Sequence, residues 1–511
     1  MTTSPSVDSS LKPALFLMTG RTLAFTATFF VPVVLARVFS QAEFGTYKQL
    51  FLLFATFNAV AQFGMSESLF YFVPLAPRSA GRHVANSLLF LAASGLGCLA
   101  LLAATRAELS HWLSNSALGA YLPLLGVFLL LMLVASALEI VMITGGRYLL
   151  ASSSYGVSDV LRAAFLVVPV LLEPGIESLL LGAVAFATLR LVAALAYLGR
   201  VFGHDFRPHV GLFRSQVAYA APFAGYVLFD IFQSTFHQYV VSYHFDAATF
   251  AVYAVGCLQI PLVDFLSTSA GNVMMVRMGE AIRDGRRDAL LGIWHDTSRQ
   301  LALILVPVVG LLLVTAHPLI VLFFTELYSA SVPIFMTGST SILLAVLVTD
   351  SVLRVYAETR FLLLRNGARA LLVVLLIHAS MSTIGLPGAV LVTVLATLAG
   401  KALDLARLRA LFGVNFVDLM PWQTLAAILG AAAAAGLASR AVTASIDLPP
   451  LLEVSAGTIV YAGTYLAALL RFGLLTESEK RAIASRLWEC VGGLGWADAR
   501  EPGARRLPPT D

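Results

Sequence analysis

The chain alternates long apolar runs with short polar segments, a pattern that predicts helices crossing a membrane. A membrane helix needs about 20 mainly apolar residues, and fourteen runs approach or exceed that length. Of the residues, 59% are hydrophobic and 12% are charged, whereas soluble domains carry about 25% charged residues. We therefore predict an all-α polytopic membrane protein with about fourteen transmembrane helices. The predicted spans are 13–36, 48–73, 85–105, 121–143, 155–172, 177–199, 217–243, 249–275, 300–323, 333–356, 361–381, 387–408, 422–440 and 452–471.

The distribution of positive charge predicts the orientation of these spans. Lys and Arg favour the cytoplasmic loops of membrane proteins. With the N-terminus placed in the cytoplasm, most of the 33 Lys and Arg residues fall in inner segments. The outer segments hold only Arg37, Lys48, Arg106 and Arg440. The sequence thus predicts a multi-pass protein with both termini in the cytoplasm.

Two short segments match each other and indicate an internal repeat. Residues 39–47 read FSQAEFGTY and residues 245–253 read FDAATFAVY, and both fit F-x-x-A-x-F-x-x-Y. Each follows a predicted span, the first and the seventh, so the two halves would be parallel repeats, although chance similarity is the alternative. The predicted units are an N-lobe (1–199), a cytoplasmic amphipathic linker (200–216), a C-lobe (217–410), spans 13 and 14 (411–471) and a cytoplasmic tail (472–511).

The motifs of several enzyme classes are missing from the sequence. Cys98, Cys257 and Cys490 are scattered without metal-binding spacing. No phosphate-binding GxxxxGK[ST] loop, HExxH or GxSxG occurs. The predicted outer loops are also short, whereas catalytic groups concentrate on loops held by a rigid scaffold. We therefore expect a transporter without catalytic residues, metal site or cofactor, and no nucleic-acid partner.

A polar stripe in the seventh predicted span is the most distinctive set of candidate site residues. Polar groups at membrane depth usually face a bundle interior or a water-filled cavity. Helical spacing puts on one face Tyr226, Asp230, Gln233, Ser234 and His237. The stripe predicts a cavity wall that binds substrate or a coupling ion, and interhelical hydrogen bonding is the alternative.

The eighth predicted span carries a second polar stripe. Asp264, Thr268 and Asn272 recur every four residues after Pro261, as expected of a kinked helix that lines a cavity. Asp264 and Asp230 are our candidates for ion coupling. The alternative for Asp264 is a structural pair with a basic residue.

Arginine residues within the spans predict an anion site. Arg21 and Arg162 are candidates to contact a diphosphate, because Arg suits bidentate phosphate contacts. For Arg21 and for Arg190, snorkelling to the inner surface is the alternative. For Arg162 the alternative is an intrahelical ion pair with Asp159.

A similar intrahelical pair is predicted between Asp350 and Arg354. Their spacing of four residues places the two side chains on one face of a helix. Together with the arginines of the first half, Arg354 and His237 would make a mildly cationic cavity. Tyr, Gln, Ser and Asn side chains would meet the sugars of an anionic glycolipid there.

Several short motifs resemble the polysaccharide-biosynthesis membrane proteins. Segment 19–51 is similar to their opening, with Leu35-Ala36-Arg37 followed by Glu43-Phe44-Gly45-x-Tyr47, and the second span ends in Tyr71-Phe72-Val73-Pro74. A second such unit includes Phe250-x-x-Tyr253-Ala254-Val255. The chain thus resembles the Wzx-type flippases of the multidrug/oligosaccharidyl-lipid/polysaccharide exporter superfamily.

This resemblance implies a function. Such a flippase moves an undecaprenyl-diphosphate-linked oligosaccharide from the inner to the outer leaflet of the bacterial inner membrane. It works by alternating access between two lobes and is coupled to a cation or proton gradient. The product serves synthesis of O-antigen, capsule or exopolysaccharide, and the implied partners are membrane lipids, a polysaccharide polymerase and a chain-length regulator.

The first span departs from the pattern of drug-exporting relatives, which often carry a carboxylate there. This chain has Arg21 instead, which favours an anionic lipid cargo. The alternatives are a cation-coupled multidrug exporter of the same fold, a membrane glycosyltransferase or polymerase, and a non-transporting scaffold of an export complex.

Overall fold

A computed structural model describes residues 28–258, 260–445, 448–477 and 479–481 of the chain. Within these ranges the protein is helical and contains no β-strand, which confirms the predicted all-α class. The side chains of His204, Tyr226, Asp230 and Pro261 lie outside the description, although their backbones are included.

The first half of the described chain runs to residue 202. Its helices are α1 (Thr28–Val38), α2 (Gln41–Gln62), α3 (Met65–Leu75), α4 (Ala80–Ala104), α5 (Arg106–Trp112), α6 (Leu118–Ala135), α7 (Ala137–Thr144), α8 (Tyr148–Leu172) and α9 (Ile176–Phe202).

The second half begins with a helix of 35 residues. Its helices are α10 (Val210–His244), α11 (Ala247–Gly256), α12 (Pro261–Arg283), α13 (Ala289–Val314), α14 (Ala316–Phe324), α15 (Val332–Thr340), α16 (Ile342–Ala345), α17 (Thr349–Val355), α18 (Thr359–Ile384), α19 (Leu386–Phe412), α20 (Phe416–Leu419), α21 (Trp422–Thr443) and α22 (Pro450–Arg471). Because α9 and α10 both extend into the predicted linker, only residues 203–209 separate them.

Eleven stretches of the described chain are long and apolar enough to cross a membrane. Several join two or three successive helices, such as α2 with α3 and α6 with α7. The predicted count of fourteen is not confirmed. Three predicted spans are missing from this count. The structure describes the first span only from Thr28, and the polar stripe interrupts the apolar residues of α10, which corresponds to the seventh span. The eighth span is divided between the short helix α11 and α12.

The two matching segments start their helices in the same way. Ser40 caps α2, accepting a hydrogen bond from the Glu43 backbone N–H while the Glu43 carboxylate accepts from the Ser40 N–H. Asp246 caps α11 by accepting from the Thr249 N–H at 3.0 Å. Such caps satisfy backbone donors that the first helical turn leaves unpaired.

These two helices pack directly against each other and join the halves of the molecule. We call the end of the bundle that holds residues 39–47 and 245–253 the motif end. At Gly45 the backbone of α2 comes so close to α11 that a Cβ would collide with the Ala247 carbonyl oxygen. Glycine is therefore required there by the approach of two backbones. The motif end is the one that the charge distribution predicts to lie outside.

Helix α10 contacts both halves. Near its start the fully buried Gln216 donates to the His83 carbonyl oxygen and to Ser87 Oγ, each at 3.2 Å, and accepts from Asn86. Later residues of α10 pack on α11, α18 and α19. The helix thus crosses from the surface of the first half into the second half.

Candidate functional site

The interruption between α11 and α12 borders a cavity of about 280 Å³ that is lined by both polar and apolar side chains. Helix α11 ends at Gly256 and α12 begins at Pro261, whose missing N–H and fixed φ suit a first helical position. The cavity lies within the second half of the chain. Its lining includes His237, Cys257, Ile260, Asp264, Ser339 and Ser341.

The cavity brings together two residues that the sequence predicts for the site. His237 reaches it from the polar stripe of α10, and Asp264 reaches it from the first turn of α12. An imidazole and a carboxylate on one cavity wall provide groups that can exchange protons or hold a cation.

A chain of polar contacts leads from this cavity to the first half. The His237 Nδ1 atom is 2.6 Å from the Tyr253 hydroxyl oxygen. Tyr253 in turn contacts the Cys257 thiol, and the ammonium group of Lys48 in α2 lies within electrostatic range of that thiol. The cavity is thereby connected to a cationic side chain on the other side of the α2–α11 contact.

Lys48 is the functional candidate that the sequence analysis missed. Its ammonium nitrogen lies 5.4 Å from the centre of the Phe44 ring and 5.5 Å from that of Tyr47. It forms none of the ion pairs found within the described part of the chain. The sequence analysis counted it as a charge in an outer segment. The sequence did contain one signal for this position: Lys48 lies one helical turn after Phe44 in a helix with a recognisable N-cap, so the two side chains share a face.

The other predicted residues of the two polar stripes are dispersed. Gln233 is half-buried and donates to the Asn366 carbonyl oxygen at 3.1 Å, so it joins α10 to α18. Asn272 is exposed two turns beyond Asp264 on α12. Arg21 and the side chains of Tyr226 and Asp230 lie outside the described residues, so their predicted roles stay predictions.

Two of the arginines considered for the anion site, Arg162 and Arg190, form ion pairs. Arg162 pairs with Asp159 at 3.1 Å, which agrees with the intrahelical alternative, and its guanidinium lies 3.5 Å from Thr28 Oγ1. Arg190 pairs with the buried Glu139 at 2.8 Å and also donates to Ser158. The snorkelling interpretation of Arg190 is therefore wrong, because a buried carboxylate is available on α7.

An ionic cluster around the buried Asp404 replaces the predicted pair of Asp350 with Arg354. Asp350 accepts from Arg365 at 2.6 Å, and the same guanidinium donates to Asp404 at 2.7 Å. Thr349 Oγ1 also donates to Asp404, and Lys401 donates to Thr349 Oγ1. The cluster ties α17, α18 and α19 together, a tertiary arrangement that spacing along one helix cannot predict.

Hydrogen bonds at the motif end link α2 to α10. The Gln49 amide donates to Ser242 Oγ at 2.7 Å and to the Leu113 carbonyl oxygen at 2.9 Å. Asn115 donates to the Gln49 amide oxygen at 2.6 Å, and the Tyr239 hydroxyl donates to Thr56 Oγ1 at 2.7 Å. Together with the α2–α11 contact, these bonds close the space between the halves at this end.

Solved structures with the same arrangement are membrane transporters. "Lipid II flippase MurJ, inward closed conformation" is 13% identical with a TM-score of 0.71, covering 90% of this chain and 99% of that chain. An inward-facing multidrug resistance MATE family transporter of the MOP superfamily is 14% identical with a TM-score of 0.54, covering 77% and 98% of the two chains. A mutant of the Vibrio cholerae MATE transporter VcmN is 13% identical with a TM-score of 0.53, covering 80% and 97%. At these identities the likeness shows the fold alone, which this chain shares with these transporters.

The sequence itself defines the family. Residues 34–333 match the family model described as "Polysaccharide biosynthesis protein". That match covers more than half of the chain, so the protein belongs to the polysaccharide biosynthesis protein family. A search of the curated proteins found no match to this sequence.

Proposed function

We propose that this protein is a flippase for an undecaprenyl-diphosphate-linked oligosaccharide. It moves the glycolipid from the inner to the outer leaflet of the bacterial inner membrane, for synthesis of a surface polysaccharide such as O-antigen, capsule or exopolysaccharide. Family membership supports the pathway, and the likeness in fold to a protein described as a lipid II flippase supports a lipid-linked cargo.

The observation that carries the proposal is the position of Lys48. A cation without a carboxylate partner is costly at membrane depth, and such groups usually mark a substrate or ion pathway. Lysine binds phosphate as a point charge. Lys48 lies on α2 near the contact with α11, and its ammonium group is within electrostatic range of Cys257, which lines the cavity. This position supports a role in attracting a diphosphate between the two halves.

Alternating access provides the transport cycle in this proposal. With the motif end closed, the head group enters from the opposite, cytoplasmic end while the polyprenyl tail stays in lipid. Arg21 and Arg162 assist Lys48 with the diphosphate, and Asp230 or Asp264 carries the coupling ion. The sugars meet residues of the second half, which are Tyr226, Gln233, His237 and Asn272. A polymerase and a chain-length regulator then use the flipped glycolipid.

Replacing Lys48 tests this function. In cells whose surface polysaccharide depends on this protein, Lys48→Met is expected to lower surface polymer at least about tenfold, with lipid-linked oligosaccharide accumulating on the inner face. A tenfold effect corresponds to about 1.4 kcal/mol of lost interaction with the cargo. Lys48→Arg keeps the charge and should retain most of the polymer. Lys480, a partly exposed lysine paired with Glu477 far from this contact, supplies the matched control. Lys480→Met should behave as wild type.

Three outcomes separate the alternatives. Normal polymer from Lys48→Met at wild-type protein level would remove Lys48 from the pathway. A deletion strain that keeps its polymer but changes its resistance to cationic compounds would indicate a multidrug exporter. A deletion strain that displays single repeat units outside would indicate a polymerase.

A further inference from the structure

Two histidines from different helices face each other near the motif end. His244 is the last residue of α10, and His378 lies in the last third of α18. The His244 Nε2 and His378 Nδ1 atoms are 3.2 Å apart, and the two ring planes are nearly perpendicular at 89°. Both side chains are exposed. Neither histidine has a role in the proposed transport site.

The separation of these nitrogens suits a bridging metal ion. A tetrahedral Zn²⁺ bound to two imidazole nitrogens at about 2.0–2.1 Å holds those nitrogens about 3.3 Å apart. A direct N–H···N hydrogen bond also has about this length, so the distance alone allows both arrangements. Metal binding requires both facing nitrogens to present lone pairs. A neutral imidazole achieves this by carrying its proton on the opposite ring nitrogen.

The surroundings of His244 favour a bound cation. The Tyr243 ring packs edge-on against the His244 ring, with centroids 4.9 Å apart, which limits the freedom of that side chain. His244 also ends a helix of 35 residues, and the carbonyl oxygens of a helix C-terminus attract positive charge. Imidazole is a preferred ligand of Zn²⁺, Ni²⁺ and Cu²⁺.

We propose that His244 and His378 form a binding site for a divalent transition-metal ion that ties α10 to α18. Within the described residues, no cluster of three or more His, Cys, Asp and Glu residues completes a metal site. Water therefore supplies the remaining ligands, and the site binds metal reversibly rather than as a permanent structural element.

A metal bound here would act on the helix that carries His237. Helix α10 also contacts α18 through the hydrogen bond from Gln233 to the Asn366 carbonyl oxygen. The two contacts lie on the same pair of helices, so a metal at the histidines adds a second fixed point between them. We therefore expect the metal to stabilise this packing.

Thermal unfolding of the purified, untagged protein in detergent, with and without ZnCl₂, tests the site. A ligand that binds only the folded state raises the unfolding temperature, and the increase grows with the logarithm of the ligand concentration once that exceeds the Kd. We expect Zn²⁺ to raise the unfolding temperature of the wild type by a few degrees, and EDTA to reverse the shift. His378→Gln should lose the shift, because glutamine can preserve a hydrogen bond to His244 but is a poor zinc ligand. His244→Gln should lose it as well.

His317 provides the matched control. It is an exposed histidine at the motif end, outside the pair, with its Nε2 atom 3.9 Å from Glu326. His317→Gln should keep the full Zn²⁺ shift. Absence of any shift in the wild type, or a shift that survives in both His244→Gln and His378→Gln, would overturn the proposal. Should one pair variant be too unstable to purify, the other decides the question, because each variant removes one of the two imidazole ligands.

Discussion

The two matching segments begin alike and then diverge, and this difference places the cavity in the second half. Both start with a capped helix, and both bury a Phe and a Tyr of the shared motif. Helix α2 is 22 residues long, whereas α11 is only 10 residues long. The sequence register that aligns the motifs pairs Phe51 with Cys257 and Phe54 with Ile260.

At positions that match in the two segments, aromatic side chains pack together in the first half of the chain. In the second half, the side chains at these positions border the cavity. Phe54 stacks on Phe128 with ring centroids 4.6 Å apart, and Phe51 lies 6.3 Å from the same ring. At the corresponding positions, Cys257 and Ile260 line the cavity. Smaller side chains and an interrupted helix together convert a packed interface into a site that can hold ions or polar groups.

The largest expected effect comes from breaking the contact that joins the two segments. Gly45→Ala adds a Cβ that would collide with the Ala247 carbonyl oxygen. Overpacking of this kind typically costs about 1–3 kcal/mol. We expect a clear fall in the unfolding temperature of the purified protein, together with loss of surface polysaccharide in cells.

Gly97→Ala is the matched control for this change. A Cβ at Gly97, an exposed position of α4, meets no atom within 4 Å. Alanine favours a helix by about 1 kcal/mol over glycine, so this variant should be neutral or slightly more stable. If the Gly45→Ala protein is as stable as the Gly97→Ala protein, the close approach of α2 to α11 at Gly45 is not required for stability, and the prediction is wrong.

An intermediate effect is expected from making the second segment resemble the first. Ile260→Phe places a ring where the first half has Phe54, and it reduces the free volume of the cavity. Because the new ring enters open space, the stability change should stay below about 1.5 kcal/mol. Transport should fall severalfold, measured as surface polysaccharide at equal protein level.

The reciprocal substitution, Phe54→Ile, completes this test. It removes the ring stacked on Phe128 without altering the lining of the cavity, so it should reduce stability more than transport. The opposite result, normal transport in Ile260→Phe and transport loss in Phe54→Ile at full stability, would move the site into the first half.

The smallest expected effect is a pH dependence of stability that comes from Asp246, the N-cap of α11. Hydrogen bonds from the Thr249 hydroxyl and backbone N–H hold the pKa of Asp246 below its usual value of 3.8. Its stabilising contribution is therefore complete above pH 3.8 and is lost as the pH falls through the lower folded-state pKa. Asp246→Asn retains a good cap that does not titrate.

Comparing unfolding temperatures of the wild type and Asp246→Asn between about pH 6 and about pH 3 isolates this contribution, since other carboxylates titrate in both. We expect the wild type to lose up to about 1 kcal/mol relative to the variant. An unchanged difference across this range would mean that the Asp246 cap contributes nothing to the stability of α11.

Hydropathy predicted the helical class of this protein well, because each apolar run must satisfy its own backbone within the bilayer. It could not predict where a run is interrupted. Residues 249–275 read as one span, but the chain leaves the helix after Gly256 and re-enters it at Pro261. Pro261 was the visible signal, although a proline can equally begin, bend or end a helix.

The candidate site was predicted only in part, because pairing between helices depends on the tertiary fold. His237 and Asp264 were identified from helical spacing, and they do line one cavity. The partner of Asp350 is Arg365, on the next helix, rather than Arg354, one turn away. Lys48 escaped notice because the boundary of a span does not show that a charge near it turns inward.

The interruption after Gly256 also has a mechanical consequence. Helix α11 is fixed by α2, whereas α12 continues beyond the interruption for 23 residues, or about 35 Å at 1.5 Å per residue. A rotation of α12 about the interruption would have its pivot at the cavity. A rotation of about 10° at this pivot would move the far end near Arg283 by about 6 Å, so a small change at the cavity would become a larger displacement at the other end of the helix.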